Sequence, residues 1–144
     1  QEALVAFGRA VQLNPSNAHA FYNLGLVLYQ QERFPEAIAA YGRAIQINPS
    51  NANAYYNLGL ALERQGRLDE ATAAYQQAVR LNPRFVVARN SLGNVLAKQN
   101  QVEAAIVAYR EAVRVQPNNA TAHYNWGMGL YNLGRIQDAA ARLR

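Results

Sequence analysis

The chain has 144 residues, 51% hydrophobic and 16% charged, and no cysteine. That apolar share argues against intrinsic disorder, and the missing thiols exclude disulfides, thiolate metal sites and cysteine nucleophiles together. The formal net charge is +5, but the arginines from Arg9 to Arg84 are scattered singly and Lys98 is the only lysine. With no basic block and no basic stretch interleaved with aromatics, the pattern argues against a nucleic-acid partner. No apolar run approaches the roughly 18 residues of a membrane helix, so no membrane insertion is expected. No secretory leader is readable either. Beginning at Gln1, the chain reads as a piece of a longer protein.

Taken in chain order, residues 1–17 read as one helix closed by Asn14-Pro15, because proline disfavours helical geometry in the residue before it. In residues 18–51, Phe21, Leu24, Gly25 and Leu28 fall at i, i+3, i+4 and i+7, one face of a helix. Ala37, Tyr41 and Ala44 mark a second helix, and Pro35 suits its first turn, where a missing N–H costs nothing. Residues 52–85 repeat the pattern with Leu58-Gly59, Ala71 and Tyr75, and residues 86–119 with Leu92-Gly93, Ala105 and Tyr109. Residues 120–144 start it again with Trp126-Gly127 and Ala139, and stop within the second helix. Between paired helices, Gly66 and Gly134 are predicted as left-handed caps. Asn100 tolerates that conformation, whereas Glu32 adopts it at a cost of about 1 kcal/mol or more.

Pro15, Pro49, Pro83 and Pro117 stand 34 residues apart, and the Leu-Gly and alanine positions keep the same period. Gly25, Gly59, Gly93 and Gly127 sit mid-helix, where each costs roughly 1 kcal/mol relative to alanine. Such a recurring cost predicts close approach of the partner helix, against Ala37, Ala71, Ala105 and Ala139.

An aromatic, Leu-Gly, alanine, an aromatic and proline at this period resemble the tetratricopeptide repeat. The resemblance implies an all-α, right-handed superhelical solenoid of antiparallel helix pairs, with first helices lining the concave surface. It divides the chain into the second helix of a preceding repeat (1–17), three complete repeats (18–51, 52–85, 86–119) and a truncated one (120–144). Arg89 and His123 depart from the pattern in place of the first aromatic, and Trp126 in place of leucine. Cut ends of such an array expose apolar faces, so end-to-end self-association is a further expectation.

At about 100° per residue, positions 2, 5, 6, 9, 12 and 13 of each unit lie opposite the buried face of its first helix. The candidate groove residues are Tyr22, Asn23, Leu26 and Tyr29; then Asn53, Tyr56, Asn57, Leu60 and Arg64. Asn90, Asn94 and Lys98 follow in the third unit, and Tyr124, Asn125 and Met128 in the fourth. Glu63, Ala97, Tyr131 and Asn132 share these faces. Tyrosine offers area with a polar tip, and asparagine both a donor and an acceptor. The combination suits an extended peptide segment of a protein partner, held weakly at many points. The alternative reading makes the tyrosines packing residues and the asparagines braces between repeats.

Family members that grip acidic C-termini use a lysine, arginine and asparagine clamp on this face. The corresponding positions hold Tyr22, Leu26, Asn57, Val87 and Ser91, or one unit later Tyr56, Leu60, Ser91, Thr121 and Asn125, so the basic members are missing. The Asn-Leu-Gly at Asn23 and Asn57 is similar to the asparagine ladder in the repeat array of O-GlcNAc transferase, which implies a substrate-recognition arm of a larger enzyme as the alternative function. No catalytic constellation, cofactor fingerprint or metal site is readable. His19 and His123 lie three repeats apart, Glu63 and Glu103 show no acid/base partner, and Gly127-Met128-Gly129 lacks the third glycine of a dinucleotide loop.

Overall fold

The computed structural model describes residues 1–142, with side chains as far as Gln137. Eight helices form the described residues: α1 (Glu2–Leu13), α2 (Ala18–Gln30), α3 (Phe34–Ile47), α4 (Ala52–Arg64), α5 (Leu68–Leu81), α6 (Val86–Lys98), α7 (Val102–Val115) and α8 (Ala120–Arg142). They fall into two compact units, Gln1–Asn82 and a second beginning at Pro83.

In the first unit α2 packs on α3 and α4 on α5, while α1 leans on α2 and α3 on α4. The starts of α2 and α4 are capped by asparagine. Asn17 Oδ1 accepts from the Ala20 N–H at 3.0 Å, and Asn51 Oδ1 from the Ala54 N–H at 3.1 Å. Each contributes about 1 kcal/mol relative to alanine. The turns between paired helices are left-handed, with φ 59° at Glu32 and 72° at Gly66. There the N–H groups of Arg33 and Arg67 reach back five residues to the carbonyls of Leu28 and Leu62, which closes a Schellman cap. Leu28, Ala37, Ala40, Tyr41 and Ala61 make one core cluster of this unit.

The mid-helix glycines meet rings, not the alanines expected. A Cβ on Gly25 would lie 2.5 Å from Cε1 of Tyr41, and one on Gly59 the same distance from Cε1 of Tyr75. Tyr41 and Tyr75 are fully buried. Burying an aromatic side chain contributes about 1.5–3 kcal/mol, which outweighs the roughly 1 kcal/mol cost of a helical glycine. Ala37 and Ala71 are also fully buried, but they are neighbours of the interlock and do not fill it.

The second unit packs α6 on α7, and α8 on both. Gly93 receives the Tyr109 ring as its counterparts do, and Asn100, at φ 61°, makes the left-handed turn. Asn119 Oδ1 accepts from the Ala122 N–H at 2.8 Å, whereas Phe85, before α6, supplies no side-chain cap. Arg89 and His123 instead tie the preceding loop to the helix that follows it. The Arg89 guanidinium donates twice to the Pro83 carbonyl at 2.9–3.0 Å, and the His123 ring donates from Nε2 to the Pro117 carbonyl at 2.8 Å.

The last unit of sequence corrects two expectations. Residues 120–142 run as one helix through Gly134, which has no positive φ. A Cβ on Gly127 would meet nothing within 4 Å. Glycine permits a left-handed turn but does not compel one. In the earlier pairs the folded-back helix is held by a tyrosine over the glycine, and the position in that register here is Leu143, outside the described residues, as Ala139's side chain is. Leu130 is accordingly 49% exposed, while Leu28, Leu62 and Leu96 in its register are 4%, 4% and 7% exposed.

Candidate functional site

The first-helix faces present different surfaces in the two units. On α2 and α4, Tyr22, Asn23, Leu26, Tyr29, Tyr56, Asn57 and Leu60 are half-buried, with Asn53 and Arg64 exposed. Asn57 Nδ2 donates to the Tyr22 hydroxyl at 3.0 Å, so a brace joins α4 to α2. The tyrosines also pack inward, with Tyr22 6.1 Å from Tyr41 and Tyr56 5.9 Å from Tyr75, ring centre to ring centre. In this unit the packing-and-brace alternative therefore describes Tyr22, Tyr56 and Asn57.

At the end of these helices α2, α3 and α4 meet in a filled corner. Tyr29 stands edge-on to Phe34 at 5.4 Å, and the Arg64 guanidinium lies 4.8 Å above the Phe34 ring. Arg64 also pairs with Glu32 at 3.9 Å. Arg64 is thus turned onto its own protein. Glu63, set aside in the sequence as lacking a partner, accepts from the Tyr75 hydroxyl at 2.7 Å. Burial and that carboxylate both push the Tyr75 phenol far above its ordinary range, and burial does the same for Tyr41. These are structural phenols, held neutral.

In the second unit, Asn94 and Lys98 are exposed on α6, and Tyr124 and Met128 on α8, with Asn125 half-buried. Asn94 Oδ1 accepts from the Tyr109 hydroxyl at 2.8 Å. Asn90 corrects the expectation of an exposed position: it is 7% exposed, and its Oδ1 is buried without a hydrogen-bond partner among the described residues. Tyrosine occupies its register in the other units, as Tyr22, Tyr56 and Tyr124; the shorter side chain is buried where Tyr22 and Tyr56 are half-buried and Tyr124 is exposed. Asn125, in the register of Asn57, consequently faces no equivalent tyrosine hydroxyl.

No group of three or more metal-ligating side chains exists among the described residues, and no described helix is long and apolar enough to cross a membrane. Sequence reasoning missed Phe34 and the partners of Glu32 and Glu63. Each lies off the first-helix face or reaches its partner only through tertiary packing, so helical periodicity carries no signal for it.

Against known proteins, a family profile described as TPR repeat matches residues 1–32, 25–66 and 93–134. Profiles described as tetratricopeptide repeat match residues 52–85 and 74–107. No curated protein sequence matches the chain. Among solved structures, MamA is similar with a TM-score of 0.87 and 24% identity, over 96% of this chain and 81% of that one. YrrB, described as a TPR protein with an unusual peptide-binding site, aligns with a TM-score of 0.79 and 28% identity, over 94% and 70%. The first TPR of Spaghetti (RPAP3), solved bound to the HSP90 peptide SRMEEVD, aligns with a TM-score of 0.77 and 23% identity, over 81% and 93%. The all-α repeat-solenoid class follows from these matches and the eight helices.

Proposed function

We propose that this chain, which belongs to the tetratricopeptide repeat family, is a protein-interaction scaffold that holds an extended peptide segment of a partner on its first-helix faces. The observation that carries the reading is the chemistry of those faces. Asparagine, tyrosine and leucine stand where an exposed helix face ordinarily carries charge. Asn23 and Asn125 make no side-chain hydrogen bond among the described residues, and each has a donor and an acceptor for a peptide unit. The peptide-bound RPAP3 repeat and the peptide site of YrrB support the same use of the fold. The missing basic clamp points away from an acidic C-terminus as the ligand. At about 0.5–1.5 kcal/mol net per hydrogen bond, affinity arises from several contacts acting together.

The test is a selection of random ten-residue peptides on the intact chain, followed by titration of the winners against an Asn23→Ala/Asn125→Ala variant. Circular dichroism establishes that both proteins are folded. Binding weakened about tenfold or more supports the reading, and unchanged affinity places binding elsewhere.

Self-association is a second reading, favoured by the apolar surface on both terminal helices. Val5 and Leu13 of α1 are 68% and 70% exposed. A mass by light scattering that rises with concentration is expected, and a constant monomer mass overturns it.

A further inference from the structure

The second unit contains a cleft of about 440 Å³ between the end of α6, the start of α7 and the middle of α8. Its position in the repeat is the same as the filled corner of the first unit, 68 residues earlier, and a comparison of the two shows how it arises. Tyr29 becomes Ala97, Phe34 becomes Val102, Glu32 becomes Asn100 and Arg64 becomes Asn132. Every member of the Tyr29–Phe34–Arg64–Glu32 cluster is thus replaced by a side chain too short or too mild to rebuild it. The floor keeps the same Ala105 and Tyr109 that Ala37 and Tyr41 supply in the first unit.

We infer that this cleft is an anchor pocket for one bulky apolar side chain, phenylalanine or leucine, of a bound peptide. It rests on the peptide-binding reading only for what carries that side chain; the pocket itself can be probed without a peptide. Three features select the occupant. The volume lies within the range of ligand-binding clefts, about 300–1,000 Å³. Ala97, Val102 and Met128 give apolar walls, while Asn125 and Asn132 stand at the cleft with amides suited to the backbone on either side of the anchor. Asn57, the counterpart of Asn125, spends its amide N–H on Tyr22, and the asparagine at position 90 removes that partner in the second unit. The lining also contains one charged side chain, Arg135, and no carboxylate, so a glutamate beside the anchor is favoured over a lysine.

Met128 is the only methionine of the chain and lines the cleft, so a 13C-labelled methionine methyl gives a single resonance that reports on it. The probes are the capped dipeptides N-acetyl-Phe-Glu-amide, N-acetyl-Ala-Glu-amide and N-acetyl-Phe-Lys-amide. The phenylalanine–glutamate probe is expected to shift the resonance at about tenfold lower concentration than the alanine probe, with the lysine probe weaker than its glutamate counterpart. Ala97→Tyr and Asn132→Arg, both at exposed positions, restore two first-unit side chains and are expected to abolish the shift in folded protein. An unmoved resonance, or an equal response in the filled variants, overturns the pocket. A pocket that responds while peptide selection yields no binder would leave the anchor chemistry intact and refute the scaffold reading alone.

Discussion

The corner where α2, α3 and α4 meet and the one where α6, α7 and α8 meet share a place in the repeat and end in opposite states, although α4 stops at Arg64 while α8 runs on and brings Arg135 and Ile136 to the second. In the first, an aromatic pair, a guanidinium and a carboxylate close the space; in the second, short side chains leave about 440 Å³ open. The interlock beneath is alike, a tyrosine over a glycine in both. A repeat thus separates two tasks: ring-on-glycine packing fixes how paired helices approach, and residues at the helix ends decide whether the surface is sealed or available.

The sharpest test of that separation removes a ring. Tyr75→Ala is expected to destabilise the chain by about 3–5 kcal/mol, as for other buried aromatics, whereas Leu130→Ala should stay within about 0.5 kcal/mol; urea unfolding followed by circular dichroism distinguishes them. Next come the glycines. Gly59→Ala forces a methyl against the Tyr75 ring and should cost about 1–3 kcal/mol, while Gly127→Ala, with open space around it, should be neutral or stabilise by up to about 1 kcal/mol. Equal effects at the two positions would dissolve the distinction.

Alkaline pH probes the same rings. The phenols of Tyr41, Tyr75 and Tyr109 are raised by burial, so the folded chain keeps protons that the unfolded chain releases. Their contribution is full below the unfolded value of about 10 and falls as pH rises above it. Melting temperature should therefore decline above about pH 10, and Tyr41→Phe should blunt the decline. Smaller still is the brace: Asn57→Ala should cost about 0.5–1.5 kcal/mol and Asn125→Ala close to nothing. The smallest difference lies at the turns. Hydrogen bonds from Arg33 and Arg67 hold the carboxyls of Glu36 and Glu70 below the usual glutamate range; Gln101 and Ala104 replace such a pair in the second unit. The contribution of these exposed pairs is present above the ordinary glutamate range and is lost as pH falls through the lowered folded value. Amide protection factors, taken against the pH-dependent intrinsic rate, should fall on acidification more at the starts of α3 and α5 than at the start of α7.

The helices and their turns were legible because they depend on local spacing: a 34-residue period, helical periodicity and left-handed positions at Glu32, Gly66 and Asn100. The glycines announced a close approach, yet not its partner, since Ala37 and Tyr41 lie one helical turn apart and only packing selects the ring. The continuous α8 was hidden because Gly134 looks like Gly66, and what differs is the tertiary support for folding back. Among the candidate residues, periodicity chose a face but not its state. It could not say that Arg64 covers Phe34, that Asn57 binds Tyr22, or that Asn90 is buried at a register where Tyr22 and Tyr56 are only half-buried.

The ring-on-glycine interlocks have a kinetic consequence. Gly25 and Tyr41, Gly59 and Tyr75, and Gly93 and Tyr109 are each sixteen residues apart, so forming one closes only a short loop, whose entropic cost is small. Contacts this local speed folding, and in repeat arrays nucleation can begin at any unit and spread to its neighbours. Each helix pair therefore carries its own nucleus, and a lesion in one interlock should slow the folding of its own pair while the others still start.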